Sequence, residues 1–430
     1  MAICWHCDGW QRWWVRHDAA CQYDLRGTHA GGGIPNPVMA NRFCWHPVAR
    51  VMAAGDDWVS PVKTGLGASG PVVILTPASG LALAQALAAD RGFRIGGAGD
   101  APAQGAQPMF ETLTSGSTGA PRRIWRSQAS WIASFQVNAA QFGIGPGARV
   151  AVLGALVHSL ALYGALEAVH LGAELHLLDA MRPDRQVAAL IARRVEVVYA
   201  TPAQLRLLVE AGGAVPCLRL LLVGGSKLDP ALRAALARFA PGAPVREFYG
   251  AAEASFITLA DAASPPDSVG KAYSGVEIAL RDGAVWVRSP YLFAGYGGGD
   301  QTGADWDQGW LSIGEMGRMK AGYLYLSGRA GRMVTVADQN VFPEGIEGFM
   351  AGLPGVSRVA VIPVADGLRG AVMMAVVLGD SEQEAAILAA TRRKFGAIAA
   401  PRALLWRKDW PQLASGKTDL AAITRAANAP

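Results

Sequence analysis

Between positions 112 and 123 the chain carries Thr112, Thr114, Ser115, Gly116, Ser117, Thr118 and Gly119, followed by Pro121, Arg122 and Arg123. Glycines let backbone N–H groups curl around an anion, small hydroxyls add donors without bulk, and a neighbouring cation completes the cradle. That combination suits a polyphosphate. It does not match the G-x-x-x-x-G-K-[ST] loop, because no Lys-Ser or Lys-Thr follows at the required spacing, so P-loop chemistry is not expected. A second glycine pattern, G-L-G-A-S-G at 65–70, has G-x-G-x-x-G spacing. It precedes an apolar run instead of following a strand, and reads as a turn rather than a dinucleotide site.

The other concentration of reactive side chains lies near the N-terminus, where Cys4, Cys7, Cys21 and Cys44 occur with His6, His17, His29 and His46. C-W-H-C has the spacing of half a zinc knuckle. No second C-x-x-C or H-x-x-x-H follows at a regular interval, so a metal centre is not expected there. Residues 1–50 read as an irregular leader, or as sequence ahead of a later start at Met39 or Met52, carrying little chemistry. The 430 residues are 51% apolar and 17% charged, a composition for two or three folded domains. A net charge of +5 without a long basic run gives no footprint for nucleic acid. No apolar span reaches the roughly 18 residues of a transmembrane helix, and no signal-peptide layout opens the chain, so the expected compartment is cytoplasmic.

The elements that must position the 114–119 turn become regular from residue 105. Apolar, β-branched runs at 149–154, 173–178, 195–200, 218–225 and 245–250 alternate with helical stretches at 184–193, 202–211 and 229–239. That alternation predicts an α/β fold with parallel βαβ units. Ligands of such sheets lie beyond the carboxyl ends of the strands. T-S-G-S-T-G follows the strand at 109–113, G-G-S-K follows 218–223, and Y-G-A-A-E-A-S follows 245–248. The three turns are expected to converge on one edge. Segments 276–280 and 284–289 read as antiparallel strands of a small barrel-like part. After S-G-R-A-G-R at 327–332, strands at 358–363 and 371–378 and a helix at 382–394 predict a small mobile α+β domain. The expected division is a large body at 51–328 and a lid at 329–430.

At this point the chain resembles the adenylate-forming superfamily: acyl- and aryl-CoA synthetases, acyl-AMP ligases and adenylation domains. T-S-G-S-T-G-A-P-R at 114–122 resembles that family's T-S-G-S-T-G-x-P-K loop, with Arg122 for lysine. In the family's order there follow V-H-S-L-A-L-Y-G-A-L at 157–166, G-G-S-K-L at 224–228, F-Y-G-A-A-E at 248–253, D-Q-G-W-L-S-I-G-E-M-G at 307–317, S-G-R-A-G-R at 327–332 and P-Q-L-A-S-G-K at 411–417. The resemblance implies ATP and Mg2+ as cofactors, a carboxylic acid substrate, and acyl transfer to a thiol. It implies that Thr114, Ser115, Gly116, Ser117, Thr118, Gly119 and Arg122 hold the phosphates. Gly224, Gly225 and Ser226 would lie beside adenine, with Tyr249 stacked on it and Gly250, Ala251 and Ala252 alongside. Glu253 would be the Mg2+ ligand, His158 would line the acyl pocket, Glu315 would hold the ribose hydroxyls, and Arg329 would make a second ribose or hinge contact. Lys417 would be the mobile catalytic lysine.

Several departures from the family pattern bear on function. Ala252 replaces a threonine that would donate to the α-phosphate, Glu315 is a methylene longer than the usual aspartate, and Gly331 replaces the hinge acid. In M-V-T-V-A-D-Q-N-V-F-P-E-G-I-E, Thr335 stands for a frequent lysine and Asp338 for a glycine usual in CoA ligases. A bulkier, negative residue there disfavours the CoA phosphates more than a carrier-protein arm. The N-terminal part is also short for the family. The resulting expectation is adenylation of a hydrophobic or aromatic acid, followed by transfer to the phosphopantetheine of an acyl carrier protein. The alternatives are an acyl- or aryl-CoA ligase, and a degenerate nucleotide-binding relative that has lost turnover.

Overall fold

The computed structural model describes residues 41–62, 70–89, 91–114, 121–299, 303–337, 339–367, 369–413 and 418–427. Strands Val197–Ala200 and Leu220–Val223 are buried at every position, as strands covered on both faces must be. The helices between strands start at defined points. Pro183, Pro202 and Pro230 open helices Pro183–Ala192, Pro202–Ala211 and Pro230–Phe239, where a missing N–H is harmless and the fixed φ is already helical. Thr201 and Gln204 close a capping box, and Asp229 accepts from the Leu232 N–H at 2.8 Å.

The strands these helices connect form the parallel part of a large sheet. Its order is Val245–Ala251, Leu220–Val223, Val197–Ala200, Arg149–Val152, Glu174–Leu177 and Arg50–Met52. Beyond Val245–Ala251 the sheet continues antiparallel through Ser255–Ala260, Lys271–Ala272, Tyr323–Arg329, Glu315–Lys320 and Ala284–Arg288. Glu277–Arg281 and Ala284–Arg288 make a hairpin whose two turn residues, Asp282 and Gly283, both have positive φ. This is the type I′ geometry that matches strand twist.

A further sheet carries the leading motif. Val72–Ile74, Phe93–Ile95 and Met109–Thr114 run parallel, Arg122–Ser127 returns antiparallel, and Gly295–Tyr296 pairs on its edge. Thr114 faces Arg122 across the hairpin, so segment 115–120 is the connection between these strands. Helix Gln128–Phe142 follows, capped by the Ser127 hydroxyl and ended by Gly143 in the left-handed region.

Within the segment expected to be irregular, residues 41–49 form no helix or strand but are packed onto the body. Phe43 packs against Phe93, Phe110, Trp131 and Phe135, and Arg50–Met52 pairs with Glu174–Leu177. Burial of an aromatic ring and pairing with a distant strand order a segment whose own pattern is too short to read. The zinc-knuckle residues Cys4 and Cys7 lie outside the described residues.

The C-terminal part has its own sheet of Val356–Asp366, Gly370–Gly379 and Leu404–Arg407, with helices Pro343–Met350 and Glu384–Ala399. Val336, Ile346, Met350, Val361, Met373 and Ile387 form a separate core there. Among the described residues no helix is long and apolar enough to cross a membrane.

Candidate active site

The site is built around the turn that joins Val245–Ala251 to Ser255–Ala260. The Ala254 N–H donates to the Ala251 carbonyl at 3.1 Å, and the ladder slips between Tyr249 and Gly250. A Cβ on Gly250 would lie 1.9 Å from the Ser255 carbonyl oxygen, so the close approach requires glycine. Such a bulge re-aims the side chains beside it. Glu253 sits in the turn. Its carbonyl accepts from the Phe293 N–H at 2.7 Å, and its Oε1 accepts from the Tyr296 hydroxyl at 3.0 Å.

Tyr249 lies under this turn with its hydroxyl buried and, among the described residues, without a hydrogen-bond partner. Burial drives its pKa up, reinforced by Glu315 and Glu253 and opposed by Arg329. Glu315 and Arg329 face each other across an antiparallel pair, and Arg329 Nε donates to Glu315 Oε1 at 3.0 Å. Burial pushes the Glu315 carboxyl up from its ordinary value, while Arg329 pulls it back. The Arg329 side chain itself is 59% exposed. Tyr249, Glu253, Glu315 and Arg329 therefore share one electrostatic neighbourhood, although they come from three strands and a turn.

The hairpin of the smaller sheet meets that neighbourhood. The Arg122 guanidinium lies 3.8 Å above the Tyr296 ring, which connects it through the Tyr296 hydroxyl to Glu253. Arg123, the other cation of the leading motif, is turned away. Its Nε and Nη2 fork onto Glu111 at 2.8 and 2.9 Å, and the fully buried Arg94 reaches the same carboxylate at 2.7 Å. Arg123 thus belongs to the framework. Thr114 ends the strand that enters the connection, and the preceding Leu113 makes an isolated bridge to His158. Thr112 Oγ1 lies 2.7 Å from Ser159 Oγ. His158 is the exposed N-cap residue of helix Ser159–His170, and desolvation lowers its pKa from the ordinary value.

Gly224 follows Leu220–Val223 and lies flat on the Phe248 ring, where a Cβ would come 2.2 Å from the ring carbon. Gly225 takes φ +97° and Ser226 is exposed. Ala251 ends its strand, and the carbonyl of Ala252 accepts from Arg126. Ser115, Gly116, Ser117, Thr118, Gly119, Asp338 and Lys417 lie outside the described residues.

Sequence reasoning missed Arg126, Tyr296, Arg94 and Glu111. Arg126 is fully buried and reaches Ala252, Ser255 and Tyr291. Its signal was strand alternation, because Arg126 shares a face with the buried Ile124, and a charge on an inward face demands a specific partner.

The family model for AMP-binding enzymes matches residues 63–297, and that for the AMP-binding enzyme C-terminal domain matches 345–417. The uncharacterized acyl-CoA ligase YhfT of Bacillus subtilis is 30% identical over 325 residues, which span 72% of this chain and 67% of that protein. The putative long chain fatty acid-CoA ligase VraA of Staphylococcus epidermidis is 30% identical over 266 residues, 59% of this chain and 56% of that protein. The chain thus spans 56% to 67% of the length of these two curated relatives. In fold it is similar to ATP-bound MatB from Rhodopseudomonas palustris, with a TM-score of 0.74 at 18% identity over 92% of this chain and 97% of that one. The Glu253 turn and the 109–127 hairpin both fall inside the first family match, and the chain belongs to the AMP-binding enzymes, within the adenylate-forming superfamily of ligases.

Proposed function

We propose that the protein activates a hydrophobic or aromatic carboxylic acid with ATP and passes the acyl group to the thiol of coenzyme A. The observation that carries this reading is the meeting of Tyr249, Glu253, Glu315 and Arg329 beside the hairpin of Thr114 and Arg122. The names of the relatives support the acceptor.

A carboxylate is a poor electrophile, because oxide would have to leave. When one of its oxygens attacks the α-phosphorus of ATP, the bond to pyrophosphate breaks and an acyl adenylate results. A thiolate then forms the C–S bond and AMP leaves. The first step joins two anions, so fixed donors and cations lower its barrier. In this reading Thr114, the 115–119 segment and Arg122 hold the β- and γ-phosphates. Tyr249 stacks on adenine, framed by Gly224, Gly225, Ser226, Gly250, Ala251 and Ala252. Glu315 accepts the ribose hydroxyls, and Arg329 favours its charged form against the burial that pushes its pKa up. His158 lines the acyl channel, and Lys417 meets the carboxylate and α-phosphate.

The donors at Glu253 suit Mg2+, a hard cation that prefers carboxylate and phosphate oxygens. Tyr296 donates to Oε1 and so restrains the carboxylate's rotation; in this reading Oε2 is the oxygen offered to the cation. Bound there, Mg2+ would neutralise phosphate charge. Residues 329–430 serve as a lid that swivels near Gly331, and the ATP demand fits the cytoplasm.

Another acceptor is favoured by one feature. Thr335 lies exposed on the hairpin of Val334–Val336 and Gln339–Val341, bonded to Asn340 Oδ1 at 3.3 Å, and the sequence places Asp338 three residues after it. An anion at this place would repel CoA phosphates and favour the phosphopantetheine of an acyl carrier protein. ATP–pyrophosphate exchange with aryl and fatty acids, followed by mass analysis with CoA and with holo carrier proteins, tests both. Exchange with at least one acid and a CoA thioester is the expected result. Carrier loading without a CoA product selects the carrier protein. Failure of every acid to support exchange, despite ATP binding, refutes catalysis and leaves a nucleotide-binding relative.

A further inference from the structure

Arg126 is fully buried, yet no carboxylate forms an ion pair with it among the described residues. Its Nη1 donates to the Ala252 carbonyl, and its Nη2 to the Tyr291 carbonyl and, at 2.8 Å, to Ser255 Oγ. Ser255 Oγ also accepts from Trp131 Nε1 at 3.0 Å. Ala252 and Ser255 bracket Glu253. Tyr291 lies two residues before Phe293, whose N–H holds the Glu253 carbonyl. The guanidinium therefore grips the turn of Glu253 from both sides of the chain. The strand that carries Arg126 also pairs with Gly295–Tyr296, with Tyr296 opposite Ile124. Tyr296 then reaches forward to Glu253 Oε1. Burying a guanidinium on neutral carbonyls is costly unless the arrangement is compensated, and a plain hydrophobic residue would serve packing better.

We propose that Arg126 and Tyr296 are positioning residues for Glu253. Arg126 fixes the backbone of the turn, and Tyr296 fixes which carboxylate oxygen is presented to the cation. Both act through Glu253 and its turn. Partners that orient a metal ligand without binding the metal typically change metal affinity by about 10–100-fold when removed. This inference rests on the reading of Glu253 as the Mg2+ ligand.

The test is the free Mg2+ concentration for half-maximal ATP–pyrophosphate exchange, with ATP-bound Mg2+ accounted for, together with direct Mn2+ binding to the protein loaded with a non-hydrolysable ATP analogue, read by electron paramagnetic resonance, for wild type, Arg126→Met, Arg126→Lys, Tyr296→Phe and Glu253→Gln. Thermal melting establishes which variants are folded at the assay temperature. Tyr296→Phe keeps the ring under Arg122 and carries the test should Arg126→Met not fold. Half-saturation is expected to rise by about tenfold or more in Arg126→Met and Tyr296→Phe, with most of the maximal rate regained at high Mg2+, and Arg126→Lys is expected to lie between. A purely structural role would lower the maximal rate and leave the Mg2+ requirement unmoved. An unchanged half-saturation in folded Arg126→Met or in Tyr296→Phe overturns the proposal while Glu253→Gln still shows its own shift. If Glu253→Gln itself leaves the Mg2+ dependence unaltered, the metal assignment fails first and this inference falls with it.

Discussion

Glu167 is a carboxyl with no access to water, inside helix Ser159–His170, whose N-cap is His158. Asn138 Nδ2 donates to its Oε1 at 2.8 Å, the Tyr163 hydroxyl lies 3.4 Å from Oε1, and the Tyr199 hydroxyl meets Oε2. Burial raises its pKa to about 8, against the opposing pull of these donors. In the unfolded chain a glutamate titrates near 4.3. Between those values the folded state holds a proton that the unfolded state has released, so stability falls as pH rises, by about 1.4 kcal/mol per unit. From pH 5 to pH 8 the Glu167 contribution should shrink by roughly 3–4 kcal/mol, the slope flattening as pH nears the folded value. His170 and His176, both lowered to about 4 mainly by burial, act oppositely. They are neutral when folded and protonated when unfolded below about pH 6.5, so their contribution grows as pH rises toward that value. Comparing Glu167→Gln with wild type at each pH cancels the histidines. Urea unfolding at pH 5, 6.5 and 8 should show the variant gaining on wild type by about 3 kcal/mol across the series. A difference constant to within about 0.5 kcal/mol would mean that Glu167 does not keep its proton in the folded protein.

Four further outcomes can be checked. Glu111→Gln should lose roughly 3–5 kcal/mol in urea unfolding, because it leaves the buried Arg94 without its anion. Gly250→Ala places a carbon against the Ser255 backbone oxygen, which has no side chain to move aside. The Glu253 turn must shift, and pyrophosphate exchange should fall by about 100-fold. Glu315→Gln should raise the KM for ATP by roughly tenfold or more in the exchange assay, since a charged acceptor is lost. Lys417→Ala should abolish exchange while leaving ATP affinity near wild type by equilibrium binding.

What could be read from the sequence tracks how local the cause is. The parallel strands and the three helices that open on Pro183, Pro202 and Pro230 lie within a few residues of their sequence-based positions, because periodicity and caps act within one segment. Strands such as Arg50–Met52, Val72–Ile74 and Phe93–Ile95 are three residues long, too short to carry a period, and exist only through partners elsewhere in the chain. The site divides in the same way. Motifs single out Glu253, Tyr249, Glu315 and Arg329, which the fold brings near one another, whereas the grip of Arg126 on Ala252 spans 126 positions, and the clamp of Arg94 on Glu111 joins two neighbouring strands.

The strand Arg122–Ser127 shows why two adjacent arginines have different fates. Side chains alternate faces with period two, so Arg122, Ile124 and Arg126 point one way and Arg123 and Trp125 the other. The face of Arg122 is turned toward Tyr296 and the turn of Glu253. The face of Arg123 is turned toward Glu111, which pairs with Trp125 in the ladder and receives the Arg123 guanidinium. Register alone therefore assigns one cation to the side of Tyr296 and Glu253 and its neighbour to the framework. A shift of one residue in this hairpin would exchange them, burying Arg122 against Glu111 and leaving the turn of Glu253 without its clamp. The buried Arg94–Glu111–Arg123 cluster resists that slip, because any other register leaves Arg94 and Glu111 mismatched in the core. The framework ions hold the strand in the one alignment that delivers Arg122 and Arg126 to the site.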